Sequence, residues 1–74
     1  MNTRLFESWA EDILAYALVN WDSDGWDYIY ECHSVDDIVD LISSYHDYDS
    51  AFNYIASIAL DYEEARNEVR AEIF

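Results

Sequence analysis

Four oxygen-bearing side chains between residues 20 and 31 have the spacing of a calcium loop. Asn20, Asp22, Asp24 and Glu31 stand where an EF-hand supplies ligands, and Gly25 stands at its sharp turn. Two features depart from the motif: Asn replaces the usual Asp at the first position, and no second complete loop follows. We therefore expect a turn without metal, and keep a calcium site on Asn20, Asp22, Asp24 and Glu31 as an alternative.

The remaining candidates for chemistry are Cys32, His33 and His46. They do not supply the four ligands of a closed zinc site. Cys32 and His33 are adjacent, and adjacent residues do not face each other on a helix, which argues against a nucleophile–base pair. A chain of 74 residues is also too small for a substrate cleft. The sequence predicts no enzyme activity and no cofactor.

Negative charge dominates the composition. Seventeen Asp and Glu face three Arg and no Lys, which gives a net charge of −14, and Arg4, Arg66 and Arg70 all lie near the ends. Such a surface repels itself and opposes folding. Direct binding to nucleic acid or anionic lipid needs Lys and Arg, so neither is expected. The expected partner is a basic protein.

Some of the acids have a local structural role. Asp36 and Asp37 fall in a predicted first helical turn, where the helix dipole favours negative charge. Asp22 and Asp24 suit a turn, and Asp49 or Ser50 is the predicted N-cap of the last helix. These positions need no partner to explain them.

Other acids oppose local preferences. Asp61, Glu64, Glu68 and Glu72 recur at spacings of three and four and so line one helical face, and Asp40 lies inside a helix, where Asp is a poor choice. Carboxylates one turn apart are spaced roughly 5–7 Å, close to the phosphates of a DNA strand. A partner-directed surface and plain solubility both remain open as interpretations.

Aromatic residues make up 18% of the chain, more than a small core can hide. Helical spacing assigns Phe6, Trp9, Phe52 and Tyr62 to the core. Tyr48, and Tyr28 or Tyr30, are expected to be partly exposed, where tyrosines beside acids make good anchors for a basic surface. The predicted partner-binding set is Asp22, Asp24, Asp27, Tyr28, Tyr30, Glu31, Asp36, Asp37, Asp40, Asp47, Tyr48, Asp61, Glu64, Glu68 and Glu72.

The elements that position these residues are helices. Apolar periodicity predicts a helix from Thr3 to about Asn20, another opened by a capping box at Ser34–Asp37, and a long one to the C-terminus. Residues 26–33 fit a short helix, with a hairpin over 19–32 as the alternative. The prediction is an all-α single domain over 1–74, a small bundle of three main helices plus one short helix.

The bulk composition sets the environment. Residues are 53% hydrophobic, so the chain is expected to fold despite its charge. No signal peptide or membrane span is visible, and a single cysteine fits a reducing compartment. A cytoplasmic location is expected, in the host cell if the protein is phage-encoded.

In size, charge and aromatic content the chain resembles the small acidic phage and plasmid proteins that mimic DNA, which include antirestriction, anti-CRISPR and nuclease-inhibiting proteins. Locally, residues 24–30 (DGWDYIY) resemble a segment of the colicin DNase immunity proteins. Those are four-helix bundles with two helices before the segment, whereas one is predicted here. Both resemblances imply an inhibitor that occupies the nucleic-acid-binding surface of a basic protein. The alternative to such an inhibitor, besides the calcium module, is a small structural homodimer whose surplus aromatic residues form the interface. The sequence allows either a monomer or a homodimer.

Overall fold

Four helices form the protein, and no strand occurs in the part of the chain described by the computed structural model, which covers residues 3–73 and the side chains of residues 4–69. The helices are α1 (Thr3–Val19), α2 (Trp26–Cys32), α3 (Val35–Ile42) and α4 (Tyr48–Ile73). The predicted all-α bundle is confirmed. Apolar residues of α3 recur with helical spacing at Val35, Ile38, Val39 and Ile42, and the next position of this spacing, Tyr45, lies beyond the end of the helix.

The core lies where α1 and α4 meet the two shorter helices. α1 and α4 contact each other, and each also contacts α2 and α3. Alanines alternate with isoleucines on the buried faces of the two long helices, which allows close approach of the backbones. The buried side chains are Ala10, Ile13, Ala17, Trp26, Ile29, Ile38, Ile42, Ala51, Ile55 and Ala59.

The segment that was ambiguous in sequence is helical, as favoured, and the hairpin alternative is wrong. Trp26 and Ile29 bury one face of α2 in the core. The turn before it passes through Asp24 and Gly25, whose φ angles of 54° and 79° are left-handed. A Cβ atom on Gly25 would lie 2.0 Å from the carbonyl oxygen of Ala59 on α4. Only glycine fits at this contact.

The first turns of α3 and α4 show how capping residues start a helix. The predicted capping box is confirmed: the Asp37 amide donates to the Ser34 hydroxyl, and the Ser34 amide donates to the Asp37 carboxylate. The prediction of Asp49 or Ser50 as the α4 N-cap is wrong. Asp47 takes that role, because its carboxylate accepts the Ser50 amide at 2.9 Å and its carbonyl accepts the Ala51 amide.

α4 extends past the rest of the bundle. Its 26 residues give a length of about 39 Å, and the whole molecule measures 49 × 20 × 17 Å. Ala59 is the last buried residue of α4 among those whose side chains are described. No helix in the described residues has the length and apolar character needed to cross a membrane.

The aromatic core prediction is only partly confirmed. Phe6, Trp9 and Phe52 are half-buried and pack against the core. Tyr62 was predicted to be a core residue, but 38% of it is exposed. The reason is its position, since it follows Ala59 on the part of α4 that leaves the bundle.

Candidate partner-binding surface

The loop between α1 and α2 holds Asp22 and Asp24 on the surface. Its backbone is closed by internal hydrogen bonds, in which the Ser23 amide donates to the Asn20 carbonyl and the Trp26 amide donates to the Ser23 carbonyl. The Asn20 side chain donates to the carbonyl of Tyr16 at 2.9 Å, which ends α1. Among the described residues, no three His, Cys, Asp or Glu side chains are grouped to hold a metal ion. The contact of Gly25 with α4 accounts for that glycine without calcium.

The junction of α2 and α4 is built around Arg66. Its Nη1 donates to Asp27 Oδ2 at 2.9 Å, and its Nε donates to Glu63 Oε2 at 2.8 Å. Nη2 also pairs with the same Glu63 oxygen. All three side chains are about three-quarters buried. Asp27 was predicted to meet a partner, but in the free protein it is engaged by Arg66.

Charge pairing at this junction favours the ionised forms. The hydrogen bond from Arg66 lowers the pKa of Asp27, against the opposing effect of partial burial. Hydrogen bonds to Asp27 and Glu63 raise the pKa of Arg66 above its ordinary value. The guanidinium therefore stays charged, and Asp27 and Glu63 neutralise its charge within the fold.

Two tyrosines stack at the same junction. The rings of Tyr28 on α2 and Tyr62 on α4 lie 4.1 Å apart and nearly parallel, at 6°. The Arg66 guanidinium lies 5.2 Å from the centroid of the Tyr62 ring, within cation–π range. His33 meets Tyr28 edge-on at 5.3 Å, and its Nδ1 donates to the carbonyl of Ile29. Tyr28 is half-buried and serves the helix contact with one ring face.

A second aromatic pair stands at the surface. Tyr30 is 41% exposed, and its ring meets Trp21 edge-on at 5.7 Å. Exposed Asp22 follows Trp21 in the chain, and exposed Glu31 follows Tyr30. Exposed ring surface of Tyr30 and exposed carboxylates thus occur in one region of the surface, and both kinds of group suit Arg or Lys of a partner.

The acids of α3 divide by role. Asp36, Asp37 and Asp40 are all exposed. Asp37 accepts a hydrogen bond in the capping box, so its carboxylate is held in place. Asp36 and Asp40 are four positions apart and share one face, about 5–6 Å apart.

Asp47 and Tyr48 mark the start of α4. Hydrogen bonds from the Ser50 amide and hydroxyl lower the pKa of Asp47. Tyr48 is half-buried, with its ring edge-on to Trp9 at 6.2 Å. Burial, with the nearby charges of Asp12 and Asp49, raises the pKa of the Tyr48 hydroxyl. Asp47 thus has a structural role, and Tyr48 is shared between packing and surface.

The predicted acidic stripe of α4 lies on the surface. Asp61, Glu64 and Glu68 are all exposed on consecutive turns of one helical face. Glu72 falls on the next turn of the helix, and its side chain lies outside those described.

Exposure separates the acids into two groups. Of the Asp and Glu residues whose side chains are described, Asp27 and Glu63 are largely buried, and both pair with Arg66. The others are exposed: Glu7, Glu11, Asp12, Asp22, Asp24, Glu31, Asp36, Asp37, Asp40, Asp47, Asp49, Asp61, Glu64 and Glu68. The ion pairs between described side chains all use Arg66, so this exposed set is not neutralised within the described protein.

Sequence reasoning missed Trp21, Glu63 and the role of Arg66. The Glu63–Arg66 pair has i,i+3 spacing, a signal available in the sequence. Asp27 lies 39 positions from Arg66, and the Tyr28–Tyr62 stack is equally non-local, so no sequence spacing indicates either contact.

A comparison with protein-family models, with curated proteins and with solved structures found no match to this chain.

Proposed function

We propose that the protein inhibits a basic nucleic-acid-binding protein by mimicking DNA and competing with nucleic acid. The observation that carries the proposal is the set of exposed carboxylates without cationic partners among the described side chains. Self-repulsion opposes folding of such a surface, and a basic partner would relieve it.

The charge density supports mimicry. A net charge of −14 along a 49 Å molecule is about one charge per 3.5 Å, against about 3.4 Å per phosphate along one DNA strand. Carboxylates on successive turns of α4, about 5.4 Å apart along the helix axis, stand in for phosphates of the strand without matching them one for one. They pair with Lys and Arg of the target and accelerate the encounter through long-range attraction.

Aromatic side chains supply the short-range part of recognition. Tyr30 offers exposed ring surface beside the half-buried ring of Trp21, and exposed Asp22 and Glu31 add negative charge to the same region. Burial of such rings gives binding energy that salt does not screen.

The target class follows from the resemblance to acidic phage and plasmid inhibitors: a host defence complex or a DNA-processing nuclease. The site of action proposed is the cytoplasm, where such proteins meet DNA.

Capture from cell lysate on the tagged protein tests the proposal. Retained proteins are washed at about 100 and about 500 mM NaCl and challenged with duplex DNA. We expect release by both, because DNA competes for the same surface and salt screens the carboxylates. Retention that neither salt nor DNA changes would exclude DNA mimicry.

Matched charge variants locate the binding face. The test variant carries Asp61→Asn, Glu64→Gln and Glu68→Gln on α4. The control carries Glu7→Gln, Glu11→Gln and Asp12→Asn on α1, which removes the same charge from acids outside the predicted binding set. We expect the α4 variant to lose most of the capture and the α1 variant to keep most of it. Equal loss in both would mean that net charge alone drives the retention.

A further inference from the structure

The apolar face of α4 continues beyond the bundle that it helps to form. Ala51, Ile55 and Ala59 are fully buried at intervals of four. Tyr62 and Val69 extend the same face with helical spacing, but they are 38% and 55% exposed. The apolar face of α4 is therefore longer than the core that it packs against.

A shallow apolar groove of about 330 Å³ lies on this extension. Its lining comes from Tyr62, Ala65, Arg66 and Val69, all on α4. Of the described residues of α1, α2 and α3, none lines it. A helix with an apolar stripe that its own fold leaves open is typical of helix-to-helix recognition between proteins.

The charges around the groove select its occupant. Asp61, Glu64 and Glu68 each precede a groove or stripe position by one residue, which places the acidic stripe about 100° around the helix along one side. On the other side, the charge of Arg66 is taken up by Asp27 and Glu63. The Arg66 stem then adds apolar surface while its charge is not available to a partner. The groove is apolar with an acidic rim.

A second copy of the chain fits this rim poorly. It would bring the same acidic stripe and a further net charge of −14 to the contact. Like charges beside a helix pair destabilise it and select against that pairing. A partner in which Lys and Arg flank an apolar stripe is complementary in charge to the acidic rim instead.

We propose that this groove, lined by Tyr62, Ala65, Arg66 and Val69, docks a basic amphipathic helix of the target protein. The inference rests on the proposed function and deepens it, because it names the structural element of the basic protein that is held. Apolar side chains of that helix enter the groove, and its Lys or Arg residues pair with Asp61, Glu64 and Glu68.

A synthetic probe tests the docking directly. The probe is a fluorescent helical peptide of about 14 residues, or four turns, with leucines on one face and lysines on both flanks. A peptide of identical composition in scrambled order is the control for charge alone. We expect the full-length protein to bind the amphipathic peptide at least about fivefold more tightly than the scrambled one, measured by anisotropy near physiological salt.

Two variant pairs assign the contact to the groove. Val69→Ser is expected to weaken peptide binding at least about fivefold, whereas Val19→Ser, at an 83% exposed valine on α1, leaves it unchanged. The double variant Glu64→Gln, Glu68→Gln is expected to weaken binding more than Glu7→Gln, Glu11→Gln. Circular dichroism checks that each variant stays helical, which is expected because these side chains are exposed.

Three results would overturn the inference: equal binding of the scrambled peptide, no effect of Val69→Ser, or a wild-type dimer in sedimentation that Val69→Ser dissociates. The last would make a second copy the occupant. Failure here with DNA-sensitive capture intact removes only the groove assignment. Peptide binding that persists while captured proteins ignore DNA removes the proposed function instead.

Discussion

The guanidinium of Arg66 on α4 holds the carboxylate of Asp27 on α2, with Nη1 2.9 Å from Oδ2. This contact joins the shortest helix to the longest one at the point where α4 leaves the bundle. It uses an Arg in a chain that has only three. Tyr28 and Tyr62 stack at the same junction, and the ion pairs of Arg66 neutralise the one charged residue that lines the α4 groove among the described residues.

Breaking this pair should loosen α2. Arg66→Gln and Asp27→Asn are each expected to lower the midpoint of thermal unfolding by about 2–6 °C, as for a modest ion pair in a small domain. The double variant should lose less than the sum of the two, because both remove one interaction. Glu63→Gln is the control, since Glu63 pairs with Arg66 within a single helix. Additive losses in the double variant would show that the two residues act independently.

A side chain at Gly25 should be poorly tolerated. Gly25→Ala forces a Cβ into the Ala59 carbonyl at a left-handed φ, so we expect the free energy of unfolding to fall by more than about 2 kcal/mol. Asp24→Gly, at the neighbouring left-handed position, should leave stability unchanged or raised, because glycine adopts that φ without strain. Urea unfolding of both variants measures the difference. A Gly25→Ala protein as stable as the wild type would contradict the close approach of this turn to α4.

The Asp47 cap should give a pH-dependent contribution. Its pKa is lowered in the folded state, so its stabilisation is fully present above the unfolded value of about 3.9 and is lost as pH falls through the folded value. Asp47→Ala should lower the unfolding midpoint by several degrees at pH 7, and the gap to wild type should narrow as the pH falls below that unfolded value. Asp49→Ala, in the same first turn, should have a smaller effect. A gap that is constant with pH would assign the effect to packing.

Salt should stabilise the free protein. Raising NaCl from about 10 to about 500 mM shortens the Debye length from about 30 Å to under 10 Å and screens the repulsion among the exposed acids. We expect the unfolding midpoint to rise at pH 7. At pH 3, where many carboxylates are protonated, the rise should be much smaller. A midpoint that falls with salt at pH 7 would show that the Arg66 ion pairs outweigh the repulsion.

Local chemistry made much of this fold predictable. The capping box at Ser34 and Asp37 depends on residues three apart, and the helices follow apolar spacing within short windows. The cap of α4 was misplaced because Asp47, Asp49 and Ser50 are all good capping residues. Which one serves depends on where the preceding chain leaves the core, and spacing alone does not report that.

The candidate surface was predictable in its charge and less so in its geometry. The exposure of Asp61, Glu64 and Glu68 could be predicted, because their spacing places three charged residues on one face of a helix. The engagement of Asp27 did not follow, because its partner is on another helix. The open groove also needed the structure, since the apolar spacing of α4 is the same inside the bundle and beyond it.

Composition and short-range periodicity are enough to establish an acidic helical bundle. Net charge is the sum over the residues, and the interactions that form a helix join residues only three or four positions apart. Tertiary packing decided what each residue does within it. Position 25 must be glycine because the Ala59 carbonyl of α4 leaves no space for a Cβ atom there. Arg66 is neutralised because α2 brings Asp27 next to its guanidinium. The apolar face of α4 is a core up to Ala59 and a surface at Val69, because the other three helices reach only part of its length.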